Sequence, residues 1–481
     1  MHPTLASDLE NLDTLLKRTH HHAVETLNGI DARPAAVAPP PAAILALPGE
    51  GAGLEGALAE FATRWAPGFS GSAGPRYLGF VTGGATPASL AGDWLTSVYD
   101  QNPTAGIDSA APDLERETVS RLRELFSLSE AQQGVFVTGA TMSNLVGLAL
   151  AREWLGDSRG VAVSQQGVAA LGPVRVLSAV PHSSIYKALS VLGLGRNTVQ
   201  KVAVLPGREA IDVDALDAAL AALQGEPVIV VANAGTVNSV DYDDLQAIQE
   251  LKSRHPFWLH VDAAFGAFAA LDPRHAHLVA GLDAADSICI DLHKWLNVPY
   301  DAAVQFTRHR DLQVRVFQNS AAYLGVPADN PDFIHLTPEN SRRLRALASW
   351  FALAAYGRSG RAEIVMRNVD LAQSLGKLIE DHSSLRLLAP TRLNVVCFTL
   401  AGQPDEALVN AYVRAVRDLG EVFITSTVYA GTWGLRVAFT NWRTEESDVQ
   451  RIFRSLVAAL NVVHSLTLPF TLNPNLRPIT P

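Results

Sequence analysis

From residue 134 to residue 306 the chain repeats one rhythm: a short unbroken apolar run, a polar or glycine junction, then apolar residues at helical spacing. The runs are GVFV (134–137), VRVLSAV (174–180), KVAVL (201–205), PVIVVA (227–232), FWLHV (257–261), SICI (287–290) and AAVQF (302–306). A strand covered on both faces has no solvent side to mark with polar residues. Unbroken rather than alternating runs therefore predict an α/β fold, a mostly parallel sheet flanked by helices.

The pattern differs on either side. Leu9, Leu12, Leu15 and Leu16 recur at helical spacing across residues 8–28, and Pro34, Pro39, Pro40 and Pro41 then interrupt regular structure. After Pro331 two long segments, 342–356 and 362–379, are helical in pattern. From residue 392 the order is VVCFTL, a helix at 406–419, EVFIT, GLRVAF and a last helix at 445–464, which predicts a small α+β domain. The ending LPFTLNPNLRPITP reads as an extended tail. The resulting division is an N-terminal helix and strap (1–75), a large α/β domain (76–385) and a small C-terminal domain with its tail (386–481).

Composition narrows the partners. Among 481 residues, a net charge of -10 with no long Lys/Arg run argues against nucleic acid or an anionic membrane and for a small molecule. Cys289 and Cys397, each in an apolar stretch, cannot build a disulfide framework or a cysteine-rich zinc site. The start, MHPTLASDLENL, lacks a positive region followed by an apolar core, and no apolar run reaches about 18 residues. The expectation is a soluble, cytoplasmic protein. His20, His21 and His22 point around a helix rather than converging, so no metal site is expected.

In open α/β sheets ligands bind beyond the carboxyl ends of the strands, so the residues after each run are the candidates. GVFV is followed by Thr138-Gly139-Ala140-Thr141, a glycine turn opening a helix and a potential phosphate site. VRVLSAV is followed by His182 and two serines, PVIVVA by Asn233-Ala234-Gly235-Thr236, and FWLHV by Asp262-Ala263-Ala264, a carboxylate with small neighbours. The junction after SICI is Asp291-Leu292-His293-Lys294-Trp295. A lysine in such apolar surroundings is a candidate nucleophilic amine able to form a Schiff base with an aldehyde. Phosphate turn, carboxylate, histidine and lysine are the parts needed to hold pyridoxal 5′-phosphate.

In HVDAAFGAF, DLHKWLNVPYDAAV and VPHSSIYKAL the chain resembles the group II pyridoxal-phosphate-dependent amino acid decarboxylases, over about residues 75–443. The resemblance implies a fold-type I pyridoxal-phosphate-dependent transferase-like homodimer. It makes Lys294 the lysine that carries the cofactor, Asp262 the partner of its ring nitrogen, and His182 and Ala264 the groups on its two faces. Ala140 and Thr141, with Ser287 and His293, would serve the phosphate, and Thr236 would line the pocket. Asp291 stands where relatives carry Asn or Asp. VFQNSAAYLG resembles the family's catalytic loop, making Tyr323 the proton donor, in the neighbouring subunit's site. In WGLRVAFTNWRT, Arg436 matches the arginine that anchors a substrate carboxylate.

The stretch LAGDWLTS is close to glutamate decarboxylases, yet Phe80 stands where those enzymes carry a glutamine, and with Val81 it forms an apolar wall. The expected reaction is decarboxylation of an L-amino acid to the primary amine and CO2, with an aromatic side chain favoured. The alternatives are an acidic or diamino substrate, or an aldehyde-forming decarboxylating oxidase. The last usually lacks the loop tyrosine that Tyr323 matches. A carbon–carbon lyase of the sphingosine-phosphate type usually carries a membrane segment, and a scaffold homologue would be expected to lose Lys294.

Overall fold

A computed structural model describes residues 1–38, 43–319 and 330–467. Tyr323 and the proline-rich tail lie outside the described residues.

The large sheet contains β1 (Gln133–Val137), β2 (Val176–Ser178), β3 (Val199–Lys201), β4 (Val228–Asn233), β5 (Phe257–Asp262), β6 (Ser287–Asp291) and β7 (Ala303–Thr307), in the order β1-β7-β6-β5-β4-β2-β3. The five strands from β6 through β3 are parallel, whereas β7 runs antiparallel to both β6 and β1. Its apolar run could not give its direction, but the connection 292–302 is too short for a parallel crossover. Every residue of β4, β5 and β6 is buried. Along the helix Ala140–Ser158, Leu148, Ala149, Leu150 and Ala151 are buried consecutively, so this helix is enclosed rather than amphipathic. The run at 201–205 forms a strand only at its start, since β3 is an edge strand and Val204 makes no more than an isolated bridge with Ile211.

The second sheet, β8 (Leu385–Leu387), β9 (Val395–Leu400), β10 (Thr425–Tyr429) and β11 (Thr432–Ala438), is antiparallel in the order β10-β11-β9-β8. Helices Glu406–Asp418 and Glu446–Thr467 pack together beside it. The expected strand EVFIT starts late, at Thr425, because Phe423 instead bridges Tyr77. Leu78 also joins this sheet: its N–H donates to the Phe423 carbonyl and its carbonyl accepts from the Ala438 N–H. A few residues on, Gly83 N–H donates to the His293 carbonyl and Thr86 N–H to the Asn297 carbonyl. The stretch 77–86 thus ties the small sheet to the lysine-bearing turn of the large one.

The two helical segments expected after Pro331 form one run, Ala346–Glu380, kinked at Gly357 (φ 55°, ψ -168°). The single N-terminal helix expected is two, Pro3–Glu10 and Leu12–Asn28, meeting at Asn11. Among the described residues no helix is long and apolar enough to cross a membrane, and no cluster of His, Cys, Asp or Glu could hold a metal.

Candidate active site

The carboxyl ends of β1, β4, β5 and β6, with the turn after β2, open on a cleft of about 360 Å³. Ala140, Thr141, His182, Asp262, Ala264, His293, Lys294, Phe80 and Arg436 all line it.

Lys294 lies on the short helix Leu292–Trp295, which leaves β6 directly. Its ammonium is 3.7 Å from Asp291 Oδ2 and 5.3 Å from the Phe265 ring centre. The turn is fastened from below: Arg361 Nη1 donates to the Leu296 carbonyl at 2.8 Å, and the Trp295 indole donates to Asn368 Oδ1 at 2.8 Å. His293 stacks obliquely against Tyr300, 4.3 Å between ring centres, and Tyr300 OH lies 2.9 Å from Thr82 Oγ1. Burial raises the Tyr300 phenol above its ordinary pKa.

Asp262 closes β5. Its Oδ2 accepts from Asn144 Nδ2 at 2.9 Å and its Oδ1 from the Ala264 N–H at 3.2 Å. This carboxylate is 6% exposed and has no cationic side-chain partner among the described residues, an environment that fits a protonated ring nitrogen. His182 caps the helix Ser183–Val191, its Nδ1 accepting from Ser184 N–H at 3.3 Å and meeting Ser184 Oγ at 2.8 Å. Burial lowers its pKa, opposed chiefly by Asp262, and Nε2 is left to carry the ring proton. At the other end of the cleft, the N-cap of the helix Ala140–Ser158 is Gly139, which has no side chain to cap it, and the Ala140 N–H donates to Asp291 Oδ2 at 3.3 Å. A helix start with glycine at its N-cap and a buried carboxylate with no cationic partner among the described residues, across one cleft, fit the phosphate and ring nitrogen of pyridoxal 5′-phosphate.

Two expected residues are elsewhere. Ser287 begins β6, at the strand end away from the cleft, and its Oγ is engaged by Trp258 Nε1 (3.0 Å) and His260 Nδ1 (2.7 Å), so it does not reach a phosphate here. Thr236 turns its hydroxyl away to Glu209 Oε2 at 2.6 Å, leaving its neighbours Gly235 and Val237 on the cleft wall. Conversely, Asn144, His260 and Tyr300 went unmarked in the sequence. Period two along β5 is the signal that was available for His260, which shares a face with Asp262.

Residues 45–401 match the model of the pyridoxal-dependent decarboxylase conserved domain, so the chain belongs to this family of pyridoxal-phosphate-dependent carboxy-lyases. It is 26% identical over 409 residues to an aromatic-L-amino-acid decarboxylase of Bacillus atrophaeus, covering 82% of this chain and 83% of the relative. An L-2,4-diaminobutyrate decarboxylase of Acinetobacter baumannii is 28% identical, over 75% of this chain and 73% of the relative. The fold is shared with Oryza sativa TDC, solved with PLP and tryptamine, at a TM-score of 0.87 and 21% identity, covering 95% of this chain and 99% of that one.

Proposed function

We propose that the protein decarboxylates an aromatic L-amino acid to its primary amine, in the cytoplasm and as a homodimer. The observation that carries the substrate class is the wall at Phe80. Its ring lies in the cleft lining beside Val81 and clusters with Phe423 (5.6 Å) and Tyr77 (6.4 Å), a surface suited to a flat apolar group. The similarity to an aromatic-L-amino-acid decarboxylase agrees with this reading.

Bound pyridoxal 5′-phosphate supplies the electron sink that accepts the bonding pair as CO2 leaves. Lys294 would hold the cofactor covalently through its side-chain amine. Asp262 would keep a proton on the ring nitrogen, and neutral His182 and the small side chain of Ala264 would flank the ring. Ala140 and Thr141 at the helix start, with His293 nearby, would hold the phosphate. Arg436 donates to the Val237 and Gly79 carbonyls and lines the cleft, where its guanidinium would be the cation for the substrate carboxylate. Tyr323, by its match to the family loop, returns a proton to the substrate carbon.

Amine products measured over the common amino acids with cofactor-loaded protein test the assignment. Phenylalanine, tyrosine or tryptophan should give the highest kcat/KM, with amine and CO2 formed in equal amounts. Preference for 2,4-diaminobutyrate or glutamate, or aldehyde as the main product, would refute it.

A further inference from the structure

Behind the cleft wall lies an unbroken line of hydrogen bonds that ends on two of the site's groups. Trp258 Nε1 contacts Ser287 Oγ at 3.0 Å, Ser287 Oγ contacts His260 Nδ1 at 2.7 Å, and His260 Nε2 contacts Asn144 Oδ1 at 2.9 Å. The Asn144 amide nitrogen then forks, to Asp262 Oδ2 at 2.9 Å and to Ser184 Oγ at 3.0 Å, which in turn meets His182 Nδ1 at 2.8 Å. Trp258, Ser287, His260 and Asn144 are all buried.

The chemistry of the two ends fixes the direction of every bond. An indole N–H can only donate, and an ionised carboxylate can only accept. Asn144 must therefore present its NH2 to Asp262 and its oxygen to His260, so His260 carries its proton on Nε2. Burial depresses the His260 pKa to about 4, and the neutral ring leaves Nδ1 as an acceptor for the Ser287 hydroxyl. Asn144 Oδ1 thus sets the His260 tautomer, and the Ser287 hydroxyl, accepting from Trp258, completes it by donating to Nδ1: were the proton on Nδ1, Asn144 Oδ1 would face a second acceptor and lose its bond. The packing leaves no room for slack. A methyl group at Gly147 would stand 2.7 Å from His260 Nδ1 and 3.1 Å from Ser287 Oγ, so the helix Ala140–Ser158 can lie over the line only as glycine there. The strand register, His260 opposite Ser287, sets the pair side by side.

We propose that His260, held in one tautomer between Asn144 Oδ1 and the Ser287 hydroxyl, is a positioning residue that acts through Asn144 to fix the donor geometry at both Asp262 and His182. With a donor in place, Asp262 stays ionised and oriented and the proton remains on the cofactor ring nitrogen. Without it the carboxylate is a stronger base and draws that proton to itself. This rests on Asp262 being the ring nitrogen's partner.

The test uses holoenzyme loaded with pyridoxal 5′-phosphate carrying 15N in the ring, whose chemical shift reports protonation without substrate. His260→Leu should move the ring signal toward the unprotonated position and lower kcat about tenfold while KM changes less than about twofold. His260→Gln, which can accept from Ser287 and donate to Asn144, should restore both. Ser287→Ala, a smaller disturbance that keeps the proposal testable if the leucine variant fails to fold, should shift the signal in the same direction by less. Wild-type signals in the leucine and alanine variants would overturn the proposal, as would a glutamine variant as impaired as the leucine one. Asp262→Asn serves as the separate control: if it leaves the ring signal unmoved, the reading of Asp262 itself fails.

Discussion

Which way a single imidazole holds its proton decides much of this site, and it has a consequence for stability as well as chemistry. His260 ordinarily titrates near pH 6.5, and in the fold its pKa falls to about 4. A base whose folded pKa is depressed is favoured neutral by the native state, so its contribution is complete above pH 6.5 and is lost as pH falls toward 4. For this fully buried ring the loss amounts to about 3 kcal/mol. Urea unfolding at pH 6.5 and pH 4.5 should therefore show a shallower decline for His260→Gln than for wild type, and equal declines would contradict the assignment. At this scale the sequence revealed what stands at strand ends, since a polar residue closing an apolar run is conspicuous: Lys294, Asp262 and His182 were legible. Ser287 came only from the family resemblance; it is the first residue of the SICI run and opens the strand at the end away from the cleft rather than closing it. His260 was hidden because one histidine within FWLHV is indistinguishable from a packed core residue until its neighbours are known.

Among the elements, the kinked helix Ala346–Glu380 does most to hold the lysine turn, through Arg361 on Leu296, Asn368 on Trp295 and, just before the helix, Arg345 on Asp301. Its bend comes from Gly357, whose backbone angles only glycine adopts easily, although a methyl group there would meet nothing within 4 Å. Gly357→Ala should therefore cost about 1–3 kcal/mol through backbone strain alone. Chemical unfolding measures this, and unchanged stability would show that the helix can bend without it. Element existence was largely readable from apolar periodicity, and the two segments flanking this kink were found as separate helices for that reason. Strand direction was not readable: β7 has the same unbroken run as its parallel neighbours, and only the length of the connection behind it hints at reversal. Short edge elements such as β3 and β8 were blurred or missed because three residues carry no period.

Across the whole molecule, the helices Pro3–Glu10 and Leu12–Asn28 expose Leu5, Leu9, Leu12 and Leu16, an apolar surface consistent with the proposed homodimer. If the subunits share their sites, Lys294→Ala and Tyr323→Phe chains should each be inactive alone and regain about a quarter of wild-type activity after mixing and reassociation, one intact site arising in each mixed dimer. Activity that stays absent while mixed dimers form would place Tyr323 in its own subunit's site. A different consequence follows from the tie at residues 77–86. Leu78 is fixed to the small sheet, the Gly79 carbonyl accepts from Thr425 and Arg436, and Gly83 and Thr86 are bound to the lysine turn, so the backbone on both sides of Phe80 is secured by bonds that its side chain does not make. The side chain itself is 54% exposed and supports little of the core. On the proposed role of Phe80, selectivity is separable from foldability at this position: exchanging residue 80 should re-tune which amine precursor is admitted while leaving the decarboxylating groups where they are. Divergence toward a new substrate could begin there with a single codon.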